Sequence, residues 1–143
     1  MGVSLEGVRI PISRRAVTDI VRSVFRVEHT SHALVSVAFV TRRAIRALNR
    51  AHLRRSGDTD VIAFAYRQAG WRSPLVGDVY IAPDVAREFA RANGIRVREE
   101  ITRLVVHGAL HVLGYDHAAG AARTRGAMWT RQERLVIRFA PPR

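Results

Sequence analysis

The amino-acid sequence predicts an α+β fold: a small mixed four-stranded sheet packed with about five helices, in a single domain spanning residues 1–143. Three observations predict it. Strand-like stretches come early and helical ones late, which argues for a sheet with helices packed against it. The stretch from about Val97 to Leu113 is apolar on nearly every side, as a central buried helix would be. At 143 residues the chain is large enough to bury one core without covalent staples.

Taken in order, Val3 to Ile10 reads as an edge strand ended by Pro11. Ser13 suits an N-cap, and Val17, Ile20, Val21, Val24 and Phe25 follow the i, i+3, i+4 pattern of a buried helix face. Leu34 to Val40 is short and nearly all apolar, the pattern of a strand covered on both faces. Thr41 can cap a second helix, with Ala44, Ile45, Leu48 and Ala51 turned inward. A polar break from Arg54 to Asp58 precedes a third strand, Thr59 to Tyr66. Gly77 to Ala82 reads as a fourth, hairpinned to the third across a loop at Gln68 to Pro74. Pro83 opens a helix that Asn93-Gly94 closes. After the central helix, Ala118 to Gly126 is a small-residue loop. A last helix follows, with Met128, Gln132, Leu135 and Phe139 on one stripe, stopped by Pro141-Pro142.

Composition narrows the function. The formal net charge is +12, and all 24 basic residues are arginine. Arginine's planar fork binds phosphate bidentately and stacks on bases, so a polyanionic partner such as nucleic acid or a ribonucleoprotein is expected. There are no cysteines, which excludes disulfides and thiolate metal sites and suits a reducing cytoplasm. No apolar run approaches the roughly 20 residues of a membrane span. Nor does the N-terminal stretch carry a basic region followed by an apolar one, so no secretory leader is expected.

The chemistry concentrates in His107-Gly-Ala-Leu-His111-Val-Leu-Gly114-Tyr-Asp-His117, where three of the six histidines fall within eleven residues. On a helix His107 and His111 lie one turn apart on one face. Gly114 stands where the helix should end, in the C′ position that favours positive φ. The turn it allows can swing His117 back over the first two. Three converging imidazoles, with the fourth position left to water, match an open catalytic zinc site. The spacing is similar to the long zinc motif H-E-x-x-H-x-x-G-x-x-H, except that Gly108 replaces the glutamate that serves peptidases as base.

The same stretch resembles the H-G-x-L-H-L-x-G-Y-D-H motif of the YbeY family of bacterial rRNA-maturation endoribonucleases. Leu48-Asn49 and Thr59-Asp-Val-Ile-Ala-Phe64 resemble that family's L-N and T-D-V-L-S-F. Gly77-Asp78-Val-Tyr-Ile resembles its G-D-I-x-I strand, and Met128 to Glu133 its closing M-x-x-x-Q-E helix. These matches cover most of residues 40–137 in the expected order. The resemblance implies a metal-dependent hydrolase of single-stranded RNA, acting in 3′-end maturation of small-subunit rRNA and in ribosome quality control. It implies one Zn2+ per chain held by His107, His111 and His117, RNA rather than DNA as substrate, the small ribosomal subunit as partner, and no membrane. Two departures stand out: Leu53 occupies the position of a family arginine, and Ala63 that of a serine.

A zinc on three neutral histidines can lower the pKa of bound water to about 7 and polarise a phosphoryl oxygen. Asp116 and Asp78 are the remaining acidic candidates. Asp116 either orients an imidazole or serves its turn, and Asp78 marks a strand entry. Arg54 and Arg55 are candidates for offsetting phosphate charge. His52 is expected to pack. Two other readings compete: a ribosome-associated RNA-binding factor with a structural or weakly catalytic zinc, and a peptidase, against which Gly108 and the charge both count.

Overall fold

The computed structural model describes residues 1–30, 33–54, 57–66, 75–114 and 122–141, with backbone alone for 122–125. The chain runs β1 (Gly2–Leu5), α1 (Arg14–Val27), β2 (Ala33–Phe39), α2 (Arg42–Leu53), β3 (Val61–Tyr66), β4 (Leu75–Ile81), α3 (Pro83–Asn93), α4 (Val97–Val112) and α5 (Ala122–Phe139). The four strands form one mixed sheet in the order β1-β2-β4-β3. Both β1 and β4 run parallel to β2, and β3 pairs antiparallel with β4. The expected α+β architecture with five helices is what the chain adopts.

Local chemistry accounts for the helix starts. Ser13 Oγ accepts a hydrogen bond from the Ala16 amide at 3.0 Å, and Thr41 Oγ1 one from Ala44 at 3.1 Å, so two otherwise orphaned donors are satisfied at α1 and α2. Pro83 opens α3, and Gly94 closes it in the left-handed region at φ 65°.

The main core lies between one sheet face and α1, α4 and α5. Val35, Val37, Phe39, Val79 and Ile81 from the sheet meet Val17, Val21, Val24, Ile101, Val105 and Leu110 from the helices. Helix α4 is buried along most of its length, as its all-round apolar pattern requires. Two glycines let it come unusually close to the sheet. A Cβ on Gly108 would sit 2.4 Å from Val79 Cγ1, and one on Gly77 would sit 2.4 Å from Val112 Cγ1. Each glycine thus makes room for a valine of the facing element.

Four expectations need correction. The second strand is covered on both faces only near its end. There Ala38, Val40 and Ile62 pack under Ile45 of α2, whereas Leu34 is 55% exposed and Ser36 faces solvent. Helix α2 is short and reaches over only part of the sheet. In α2 itself Ala51 is exposed, and the buried position besides Ile45 is Asn49, whose side-chain amide lies 3.4 Å from the Gly57 carbonyl. The last helix begins at Ala122, so residues 122–126 are helical rather than loop. Small residues with no Pro allow this, since Ala and Arg favour helix. The first strand also stops at Leu5, well short of Ile10. The predicted loop at Gln68–Pro74 lies outside the described residues. Among the described residues no helix is long and apolar enough to cross a membrane.

Candidate metal centre

His107 and His111 project from α4 on one face, their ring centroids 6.0 Å apart and tilted by 51°. Two imidazoles sharing one tetrahedral ion have centroids about 5 Å apart, so small side-chain rotations bring this pair to a common ion. The helix that carries them ends at Val112. Leu113 is the C-cap, and Gly114 follows at φ 109°, donating its amide to His111 O at 3.0 Å. The positive φ expected at Gly114 is present, and only glycine takes it without strain.

One imidazole is oriented from α5. His107 Nδ1 lies 2.8 Å from Gln132 Oε1, and the other end of that amide, Nε2, donates to Glu133 Oε2 at 3.0 Å. Because the carbonyl end faces the ring, Nδ1 must carry the proton and donate it. The neutral tautomer then has its lone pair on Nε2, the nitrogen suited to a metal. Glu133 is itself gripped by Arg103, which donates from Nε and from a terminal nitrogen, each at 3.0 Å. Arg103 also reaches Glu100 at 2.9 Å and Glu99 at 3.1 Å. A chain of charged and polar groups therefore runs Glu99/Glu100–Arg103–Glu133–Gln132–His107.

The protonation states support that chain. Hydrogen bonding to Glu133, then to Glu100 and Glu99, pushes Arg103 above its ordinary value despite its burial. Burial is the largest single influence on Glu133 and pushes it up. Hydrogen bonds from Arg103 and Gln132 nonetheless hold it below the usual carboxylate range, so it stays ionised. Glu100, only 3% exposed, goes the other way because burial outweighs Arg103. None of Arg103, Gln132 and Glu133 was assigned a role in the sequence reading. Gln132 stands there on the stripe of the last helix and in the M-x-x-x-Q-E motif, with no chemical role attached to it.

Other candidates are placed less centrally. Gly108 faces Val79 in the helix–sheet contact, which explains why no glutamate can stand there. Asp78 sits next to Val79 in β4 and so points to the opposite sheet face, where it accepts from Ser36 Oγ at 2.5 Å and from the Tyr66 hydroxyl. It is not with the histidines. Arg54 is the left-handed C-cap of α2 at φ 52°, with its side chain exposed, and Leu53 before it is 44% exposed. His52 packs, as expected, edge-on to Phe64 at 5.3 Å. His117, Asp116 and Arg55 lie outside the described residues. Among the described residues no third His, Asp or Glu joins the two imidazoles in a metal-sized group. The donor chemistry of the described pair fits zinc, since both are imidazoles and the Gln132 carbonyl orients one of them through Nδ1.

Comparison with known proteins places the chain. The family model described as Endoribonuclease YbeY matches residues 6–140. A protein of Geobacillus thermodenitrificans named Endoribonuclease YbeY is 34% identical over 131 residues, covering 85% of this chain and 83% of that protein. Its namesake in Geobacillus kaustophilus is 38% identical over 116 residues, covering 75% and 73%. The one in Anaeromyxobacter dehalogenans is 41% identical over 108 residues, covering 73% of this chain but only 56% of that longer protein. A Thermotoga maritima protein solved in solution shares the fold, with a TM-score of 0.67 and 22% identity over 97% of this chain and 89% of that one.

Proposed function

The chain belongs to the YbeY family of endoribonucleases, and from that premise we propose that it is a zinc-dependent endoribonuclease of single-stranded RNA. Its place would be the cytoplasm, in 3′-end maturation of small-subunit rRNA and in ribosome quality control, with the small subunit as partner. One observation carries the reading: His107 and His111 share a face of the buried α4, and the Gln132 carbonyl orients the His107 ring through Nδ1, leaving Nε2 as the nitrogen for a metal.

His107 and His111 would hold the ion together with His117. When bound, zinc supplies Lewis acidity and a hydrolytic nucleophile at neutral pH. The protein's own contribution is orientation. Gln132 keeps the Nδ1 proton of His107 in place, and the salt-bridged Glu133 keeps Gln132 from flipping. The arginine excess attracts the phosphate chain and draws RNA to the site. Arg54 is the described cation nearest in sequence to the family's phosphate-binding position, and Asp116 remains the proposed orienting carboxylate.

The peptidase reading loses further ground, because Gly108 packs on the sheet and leaves no space for a base. A binding factor with a weakly catalytic zinc is favoured by one specific observation. Leu53, in place of the family arginine, presents an apolar side chain to solvent. The deciding experiment is cleavage of a single-stranded rRNA fragment by wild type and His111→Ala, with binding followed in parallel. The nuclease reading expects cleavage to vanish in the variant while binding is largely kept. Wild type that binds without cutting would favour the binding factor.

A further inference from the structure

Helix α5 has a stripe that faces α4. Gln132 meets His107, Glu133 meets Arg103, and Val136 is buried at 2% exposure. The pairings 103 with 133 and 107 with 132 show that the two helices run antiparallel at this contact. Trp129 lies three and four residues before Gln132 and Glu133, so it continues that stripe by one turn. One turn further along α5 corresponds to one turn further along α4 in the opposite sense, from His107 to His111. Trp129 is 59% exposed, the most exposed large hydrophobic side chain among the described residues, while Met128 before it takes the buried place on that turn at 1%. The indole therefore lies at the edge of the stripe that faces α4 and is turned to solvent, although Gln132 and Val136 on that stripe are buried.

Given the RNA-cleaving site proposed above, on which this inference rests, the geometry points to Trp129 as the platform on which a base of the RNA substrate stacks beside the metal centre. Single strands are recognised by splaying bases onto aromatic faces, and every base has such a face. Arginine contacts to phosphate position a strand without distinguishing unpaired bases from a duplex. An exposed indole on the turn of α5 before Gln132, the residue that holds His107, supplies that distinction. A duplex keeps its bases stacked on one another, so it cannot use the platform. Trp129 is thereby a positioning and specificity residue: it seats the nucleotide flanking the scissile phosphate without touching the reacting atoms.

The test compares Trp129→Ala, Trp129→Phe and Trp129→Leu for binding of a labelled 12-nucleotide single strand and the same sequence as a duplex. KM and kcat for cleavage are read alongside zinc content and Tm. Stacking of one base predicts single-strand binding weakened about 5- to 150-fold in Trp129→Ala. Phenylalanine should restore most of it and leucine should not. Duplex binding, zinc content and kcat should change little. An abasic nucleotide at the stacked position should weaken wild type and leave Trp129→Ala no weaker than before. If Trp129→Ala binds the single strand as wild type does, or leucine rescues as well as phenylalanine, the platform is overturned while the nuclease reading stands. If wild type neither binds nor cuts single-stranded RNA, both fall.

Discussion

Gln132→Ala is the substitution that most directly probes how the centre is held. It removes the acceptor 2.8 Å from His107 Nδ1 and the donor 3.0 Å from Glu133. Gln132 is 4% exposed, so solvent does not readily replace it. A buried N–H left without its acceptor costs about 1–3 kcal/mol. Coordination makes the imidazole N–H more acidic, so the bond matters more to the zinc form than to the apo form. Loss of such a supporting partner typically lowers metal affinity by about 10- to 100-fold, or roughly 1.4–2.8 kcal/mol. Competition against a chelator of known affinity gives the zinc Kd, and the Tm rise on adding zinc gives an independent value. Gln132→Glu made together with Glu133→Gln, which keeps an acceptor for the imidazole without setting two carboxylates against each other, should lose far less. An alanine variant whose Kd stays within about twofold of wild type would refute the reasoning, because an orienting partner should cost more. So would a double variant as weak as alanine.

Three further outcomes are expected. Gly108→Ala places a Cβ 2.4 Å from Val79 Cγ1; overpacking of about 1–3 kcal/mol should exceed the roughly 1 kcal/mol helix gain, and Val79→Ala in the same chain should relieve it, as denaturant melts will show. Leu53→Arg should raise cleavage on the order of tenfold with less change in RNA binding, since a guanidinium there offsets charge developing on phosphate; equal rates would mean position 53 faces away from the reaction. Burial raises the Asp60 carboxyl above its ordinary value, backbone hydrogen bonds only partly opposing it. The folded state therefore holds that proton more tightly than the unfolded chain, and the penalty on the charged form is full above the folded pKa. Asp60→Asn should melt higher than wild type at neutral pH, and the gap should close as pH falls through the raised value; a gap that widens in acid would reverse the sign of the argument.

The strongest sequence signals were local and periodic. Helix caps at Ser13 and Thr41, the Pro83-to-Gly94 bounds of α3 and the turn at Gly114 all follow from single residues with narrow backbone preferences. What escaped depends on reach between elements. Whether an apolar strand is covered on both faces is decided by how far α2 extends, which Leu34 does not reveal. The role of Gln132 depends on α4 and α5 running antiparallel in one register, and no spacing within α5 encodes that. Gly108 looked like a base deleted from a peptidase motif. Its real cause lies across the core, at Val79.

The central claim is that α4 presents neutral histidines to one zinc ion. The most direct measurement is zinc content per chain, by elemental analysis of purified wild type and of His107→Ala and His111→Ala. The account predicts about one zinc per wild-type chain, and a large loss in each variant with the fold retained. Wild type without a transition metal, or variants that keep a full complement of zinc, would contradict it.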